Sequence, residues 1–69
     1  MKGEFMKTEA EILDRIREIQ DSYADNEKLY DDGYIGYEEL VSMDEQCDRE
    51  IQTLLWVIGR ESEFADFRK

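Results

Sequence analysis

The sequence contains no proline and no histidine, and each absence excludes a class of structure or chemistry. Without proline nothing forces a break within a helix, so long helices are the first expectation. Without histidine the chain lacks the side chain that most often binds transition metals and transfers protons near neutral pH. A chain of 69 residues also has little room for a buried active site. We therefore expect no enzyme, no cofactor and no metal site.

Cysteine and long apolar runs are scarce as well. The single cysteine, Cys47, cannot form an intramolecular disulfide, so nothing indicates an oxidising compartment. The longest apolar run, residues 54–58, is far shorter than the roughly 18–20 residues that span a bilayer. The N-terminus lacks the apolar core of a signal peptide. We expect no membrane association and a cytoplasmic location, which is the host cytoplasm if a phage encodes the chain.

Residues 1–7 are interpreted as an N-terminal extension. Met6 is a second methionine, and Glu4-Phe5 is the dipeptide that a common cloning site encodes in frame. Both a native origin and a cloning remnant stay open for residues 1–5, so no function is assigned to them.

A first helix is predicted over residues 8–32. Thr8 and Glu11 have the spacing of a capping box, in which each residue caps the other's backbone N–H. Gly33 suits the left-handed position that ends a helix. Between these signals, residues at alternating spacings of four and three form a heptad seam: Ile12, Ile16, Ile19, Tyr23, Asn26 and Tyr30.

A second helix is predicted over residues 37–58, after a short turn at residues 33–36. Gly36 is the expected N-cap, and the Glu39 carboxylate is expected to accept a hydrogen bond from the Gly36 backbone N–H. Ile35 and Leu40 are expected to pack together as a hydrophobic staple. Gly59 suits the left-handed position that ends the second helix. The seam of this helix consists of Tyr37, Leu40, Asp44, Cys47, Ile51, Leu54 and Ile58.

The two seams are complementary when the chain folds back antiparallel about Ile35. Facing residues then have numbers that sum to about 70, as for Ile19 with Ile51, and even the polar Asn26 falls opposite Asp44. The fold class predicted is all-α, an antiparallel, coiled-coil-like two-helix hairpin. Two interpretations of the Asn26–Asp44 pair stay open. It is either a buried polar layer that fixes the register of the two helices or a half-exposed pair at the solvated edge of the seam.

A lone hairpin of this length buries little apolar area. The apolar side chains outside the seam therefore need to be covered by the tail or by a second subunit. Residues 60–69 form a tail, with a short helical turn expected after Ser62. Either the tail folds back over Trp56 and gives a compact monomer, or two hairpins form a homodimeric four-helix bundle, which we favour. The residues assigned to this oligomer or tail-packing surface are Leu13, Leu55, Trp56, Val57, Phe64 and Phe67.

The net charge of −10 is confined to one part of the chain. Residues 18–48 hold eleven acids against one base, Lys28, while the remaining residues carry equal numbers of acids and bases. We call residues 18–48 the acidic half. A polyanion of this kind is not expected to bind nucleic acid or anionic lipid directly.

The natural complement of the acidic half is a protein with a basic, nucleic-acid-binding groove. Carboxylates along a helix can imitate the phosphates that such a groove neutralises. Tyr34, in the turn and outside the seam, is the expected aromatic anchor. The acids assigned to this partner-binding surface are Glu18, Asp21, Asp25, Asp31, Asp32, Glu38, Glu39 and Asp48. The alternative is a solvated face that only keeps the chain soluble.

In composition and architecture the chain resembles the nucleic-acid-mimicking inhibitors that phages carry against host nucleases, repair enzymes and CRISPR effectors. The resemblance implies inhibition by occupancy of a nucleic-acid site, and it carries over no functional residues. The alternative function is a structural or assembly coiled-coil module that joins a larger complex through its apolar end.

One stretch has half of the pattern of an EF-hand calcium loop. If Gly33 is loop position six, Ile35 and Glu39 fall at positions eight and twelve, as that loop requires. Positions one and three would then be Lys28 and Tyr30, where oxygen ligands are needed. Turn chemistry explains the half-match, and calcium binding is not expected.

Overall fold

The computed structural model describes residues 8–68, which form two long helices and a short helical tail. Helix α1 spans Glu9–Asp31 and helix α2 spans Tyr37–Val57; a 3₁₀ turn, Glu61–Glu63, then leads into the four-residue α3, Phe64–Phe67. Helices α1 and α2 pack along each other, and the tail packs against α2. The predicted all-α helical hairpin is confirmed. The predicted N-terminal extension, residues 1–7, lies outside the described residues, as does residue 69.

Both long helices begin with the caps that the sequence predicts. At the start of α1 the Glu11 backbone N–H donates to the Thr8 hydroxyl at 3.1 Å, and the Thr8 N–H donates to a Glu11 carboxylate oxygen at 2.9 Å. At the start of α2 the Gly36 N–H donates to Glu39 Oε1 at 3.2 Å. These bonds satisfy N–H groups that lack intrahelical acceptors, and so they fix where each helix starts.

The turn between the helices is a Schellman motif centred on Gly33. Gly33 has a φ of +85°, a left-handed conformation that side-chain-bearing residues rarely adopt. Its N–H donates to the Tyr30 carbonyl, and the Tyr34 N–H donates to the Leu29 carbonyl at 2.9 Å. The first helix is thereby ended and the chain is turned toward Gly36 and α2.

The core lies along the seam in the half of the hairpin that is nearer the chain ends. Ile16 and Ile51 are fully buried. The buried cluster that surrounds them consists of Ile12, Ile16, Ile19, Tyr23, Ile51 and Leu55. Farther toward the turn the buried seam residues are Asn26 and Leu40.

The polar pair in the seam has the predicted register. Asn26 Nδ2 donates to Asp44 Oδ1 at 3.2 Å, and the two residue numbers sum to 70. Asn26 is only 7% exposed, whereas Asp44 is half-buried. One interpretation therefore holds for each residue of the pair. The Asn26 amide is buried within the seam, and the Asp44 carboxylate lies at its solvent-exposed edge.

The seam is shorter at the turn than the heptad pattern predicts. Tyr30 and Tyr37 are both exposed rather than enclosed between the helices. Their rings meet edge to face at a centroid distance of 6.1 Å. The helices end here, so no further turn covers the two rings, and they pack on each other at the surface.

A second Schellman turn directs the tail back onto the hairpin. Gly59 has a φ of +71°, and the Arg60 N–H donates to the Leu55 carbonyl at 2.8 Å. Phe64 and Phe67 then pack against the core. Leu55, which was assigned to the oligomer or tail-packing surface, is fully buried in the cluster against which Phe64 and Phe67 pack.

The same turn leaves Trp56 uncovered. Trp56 is 69% exposed and its neighbour Val57 is 54% exposed. One residue of an α-helix advances about 100° around the axis, so the side chain after Leu55 points away from the tail. The tail does fold back, as one alternative requires, but the expectation that it covers Trp56 is wrong. Dimerisation stays a prediction.

Polar contacts tie the tail to α1. The Arg60 guanidinium donates to the two Glu63 carboxylate oxygens at 2.9 and 2.6 Å and to a Glu9 oxygen at 2.9 Å. Gln20 Nε2 donates to the Phe67 carbonyl at 2.9 Å. The Arg60 hydrogen bonds lower the pKa of the Glu63 carboxyl.

Replacing Leu55 by alanine should destabilise the protein by about 2–5 kcal/mol, as for other fully buried leucines, because it opens a cavity under the tail. Urea unfolding followed by circular dichroism measures this loss. Leu29→Ala is the matched control, since Leu29 is an exposed leucine on the other helix. Equal losses in the two variants would show that the tail does not bury Leu55.

Acid should release the tail. Because Arg60 lowers the pKa of Glu63, this ion pair within the tail stabilises the 3₁₀ turn at neutral pH and holds the Arg60 guanidinium where it also reaches Glu9 on α1. That stabilisation is lost as the pH falls through the lowered pKa. NMR shifts of the Phe64 and Phe67 rings follow the docking. Glu63→Gln should weaken docking at neutral pH and remove this acid transition, and a titration that is unchanged in the variant would contradict the role of Glu63.

Candidate functional site

The acidic half presents most of its carboxylates to solvent. Nine of its eleven acids are exposed, and Asp44 and Asp48 are half-buried. The seam accounts for this pattern, because apolar residues occupy the inward heptad positions and leave the acids on the outward ones. The charged side chains therefore surround the hairpin without entering its core.

The predicted acids fall into rows on both sides of the seam. Glu18, Asp25 and Asp32 recur every seven residues and form one row along α1. Glu38 forms a second row along α2 together with Glu45, an acid that was not assigned to the partner-binding surface. By the heptad positions these rows lie on opposite sides of the plane that contains both helix axes. Carboxylates therefore lie on both sides of the acidic half rather than in a single patch.

Few cations neutralise these carboxylates. Glu18 pairs with Arg15 at 3.1 Å, and Asp32 pairs with Lys28 at 3.4 Å. Both pairs are exposed, where such interactions are weak. Within residues 8–68 no ion pair is formed by Asp21, Asp25, Asp31, Glu38 or Glu45.

The resulting charge density is close to that of duplex DNA. The helical parts of the acidic half, residues 18–31 and 37–48, carry ten acids and one base, and the longer of them, residues 18–31, rises about 20 Å at 1.5 Å per residue. That is one net negative charge per roughly 2 Å of hairpin, compared with one per about 1.7 Å along a DNA duplex. A surface built to neutralise phosphates would meet a similar density of charge here.

Two of the predicted site residues also have roles in the fold. Asp48 accepts a hydrogen bond from the Tyr23 hydroxyl across the seam, and Glu39 caps α2 through Gly36. The Tyr23 bond was not predicted, although Asp48 is adjacent to Cys47, the residue expected to face Tyr23. Asp48 is therefore less available to a partner than the outward acids.

Three tyrosines are exposed at the turn, and we call Tyr30, Tyr34 and Tyr37 the tyrosine cap. Tyr34, the predicted anchor, is 77% exposed, and Tyr37 is 65% exposed. Tyr30 and Tyr37 were not predicted as surface residues, because their heptad spacing is that of the seam. Asp31, Asp32, Glu38 and Glu39 adjoin the cap in sequence, so an aromatic surface with an acidic rim ends the hairpin.

Cys47 has the features of a packing residue rather than of a nucleophile. Its half-buried side chain packs against the core cluster. Burial raises the pKa of the Cys47 thiol, and the nearby Asp44 carboxylate raises it further. The reactive thiolate is therefore disfavoured.

Neither a metal site nor a membrane span is found in the part of the chain that the structure describes. Within residues 8–68 no group of three or more cysteine, aspartate or glutamate residues is arranged to hold a metal ion. Neither of the long helices, α1 or α2, combines the length and apolar character needed to cross a bilayer.

Comparisons with known proteins give no relative, since no protein-family model, no curated protein and no solved structure matches the chain.

Proposed function

We propose that this protein is an inhibitor that docks its acidic half on the basic, nucleic-acid-binding surface of another protein and blocks that surface by occupancy. The observation that carries the proposal is the charge density of about one net negative charge per 2 Å, close to that of duplex DNA. The proposed partner is a protein, because nucleic acids and anionic membranes would be repelled. Neither a cofactor nor catalysis is needed for this activity.

Electrostatic attraction explains how such a protein would compete with nucleic acid. A cleft lined with Lys and Arg attracts a polyanion over several ångströms and speeds the encounter, and the effect decreases with added salt. Five of the exposed acids have no ion pair within residues 8–68, namely Asp21, Asp25, Asp31, Glu38 and Glu45. No internal salt bridge to them has to break before they can pair with a partner.

The tyrosine cap adds the less polar contact that a specific interface requires. Arginine guanidinium groups stack on aromatic rings, and nucleic-acid sites often contain arginines that stack on bases. The exposed rings of Tyr34 and Tyr37 could take the place of such bases, while Asp31 and Glu38 pair with the same guanidinium groups. Tyrosine is also one of the residues that most often dominate binding energy. In this proposal the acids attract the partner and the rings fix the docked orientation.

An assembly module is the second candidate, favoured by the exposure of Trp56 and Val57 at the other end of α2. Here the apolar end would join a larger complex and the acidic half would only maintain solubility. The two functions use opposite ends of one hairpin, so variants can separate them.

The first test is capture of partners from a lysate of the native host on the immobilised protein. We expect a nucleic-acid-binding protein that elutes at moderate salt and is displaced by excess duplex DNA or RNA. The triple variant Asp25→Lys, Asp31→Lys, Glu38→Lys should not capture it. Capture that survives in the triple variant but is lost in Trp56→Ala would instead support the assembly module.

A pair of single variants separates site-specific charge from total charge. Asp31→Lys should weaken binding of the captured protein at least about 5-fold, the equivalent of 1 kcal/mol. Asp66→Lys, which makes the same change in net charge on the exposed surface of α3, should change it less than about 2-fold. Equal effects of the two variants would mean that only net charge matters and that the acidic half is not the binding surface.

Tyr34→Ala should weaken binding of the same partner by about 10-fold or more if Tyr34 is the anchor. The stability of the hairpin should be nearly unchanged, because the side chain is exposed in the turn. Tyr34→Phe is the matched control, since it keeps the ring and should bind nearly normally. Binding constants from interferometry and unfolding curves from circular dichroism provide the two readouts, and full binding by Tyr34→Ala would remove Tyr34 from the interface.

A further inference from the structure

The turn end of the hairpin holds most of the exposed apolar side chains. Seven large apolar residues are exposed among the described residues, and five of them lie at the turn: Leu29, Tyr30, Tyr34, Tyr37 and Val41. An exposed apolar patch with a polar rim is typical of a surface that contacts another protein. What this patch can bind follows from the charged groups beside its rings.

Helix geometry places one carboxylate, that of Asp31, on the same side of the hairpin as Tyr37. In an antiparallel pair of helices, the residue after a seam residue points to the same side from both helices. Leu13 and Leu55 hold such positions near the chain ends, where the tail packs. Asp31 and Val41 hold them near the turn, and Tyr37 shares the face of Val41 because it lies four residues earlier. A ring and a carboxylate are thus exposed on the side of the hairpin that the tail covers farther along.

The tail shows what a ring and a carboxylate bind together in this chain. The Arg60 guanidinium lies 5.9 Å from the centroid of the Phe67 ring and donates hydrogen bonds to Glu63 and Glu9. The Arg68 guanidinium lies 5.6 Å from the ring of the other tail phenylalanine. Both aromatic rings of the tail therefore carry a guanidinium, and one of these groups is held by carboxylates as well.

At the turn end the ring and the carboxylate have no such cation. Within residues 8–68 neither an arginine nor a lysine lies over a ring of the tyrosine cap, and Asp31 forms no ion pair. Lys28 is the single base of the acidic half, and it pairs with Asp32. A cation that completes the arrangement has to come from another molecule.

We propose that the turn end binds an arginine side chain of the partner and discriminates it from lysine. The guanidinium lies over the Tyr37 ring and donates to the Asp31 carboxylate, as Arg60 does with Phe67 and Glu9 in the tail. A guanidinium can make both contacts at once because it is planar and weakly hydrated, with N–H donors in fixed directions. An ammonium is a compact, strongly hydrated charge, so it loses more when it leaves water for the face of a ring.

This inference rests on the proposed function, since it names the side chain that the partner must present to the acidic half. It narrows the class of partner from basic grooves in general to grooves in which arginines stack on bases. All the acids contribute to the attraction between the two proteins, whereas the choice of arginine belongs to the turn end alone.

Titration of the full chain with two peptides tests the site without the partner. One peptide is an arginine–glycine repeat, and the other has the same length and charge with lysine in place of arginine. At physiological salt the arginine peptide should bind at least about 5-fold more tightly and should shift the NMR signals of the tyrosine-cap rings. Equal affinities, or tighter binding that leaves these ring signals unchanged, would overturn the proposal.

Variants test which residues select arginine. Asp31→Asn and Tyr37→Leu should each reduce the preference to less than about 2-fold, because each removes one of the two contacts. Asp21→Asn is the matched control, since it makes the same charge change at an exposed position of α1 about 15 Å from Asp31, and it should keep the preference. Circular dichroism confirms that each variant is helical. A preference that survives in Asp31→Asn and Tyr37→Leu, or that is lost in Asp21→Asn, would refute this site.

The result is separable from that of the lysate capture. If the chain captures a nucleic-acid-binding protein but its turn end shows no preference for arginine, the arginine site is refuted and the inhibitory function stands. If the turn end selects arginine but the chain captures no such protein, the site stands and the inhibitory function is refuted.

Discussion

The burial of Ile16 against the same core as Ile51 is the constraint on which the rest of the molecule depends. Both side chains are fully enclosed, and together they fix how α1 lies along α2. That register brings Asn26 to Asp44 and Arg15 to Glu50. A slip of one residue would turn a helix by about 100° and carry carboxylates toward the core, where an unpaired charge is very costly.

Stability and charge are separated along the hairpin. The buried cluster and the tail lie at the end where the chain termini meet, and the net charge lies at the turn. A two-helix seam alone buries too little apolar surface for a stable domain, and the tail adds a third layer over Leu55 at the end where the core is thickest. The mutual repulsion of the acids therefore acts on the part of the molecule that contributes least to the core.

Local signals in the sequence were sufficient for the helices, their caps and their register. The Thr8–Glu11 capping box, Gly33 and the seven-residue spacing each act within a few residues, and the structure has them as predicted. The position of the exposed acids follows from the same spacing.

What could not be predicted depends on contacts between distant residues. Leu55 and Trp56 are adjacent apolar residues, and which one is buried depends on the path of the tail after Gly59 and on the Arg60 contact with Glu9. Tyr37 keeps the heptad spacing, but a seam needs both helices to continue, and here they end. Function was the least accessible, because charge density supports only a proposal about the kind of partner surface, and no match with a known protein identifies the partner.

The sparse core at the turn has a mechanical consequence. Between the Asn26–Asp44 layer and the turn, Leu40 is the one buried seam side chain among the described residues. A loosely packed end fluctuates at a smaller free energy than a well-packed one, so the two helices bow apart more easily between the Asn26–Asp44 layer and the turn that joins them, while the tail holds their other ends together. In the proposed complex, this compliance would let the spacing between the two rows of carboxylates adjust to the partner's groove.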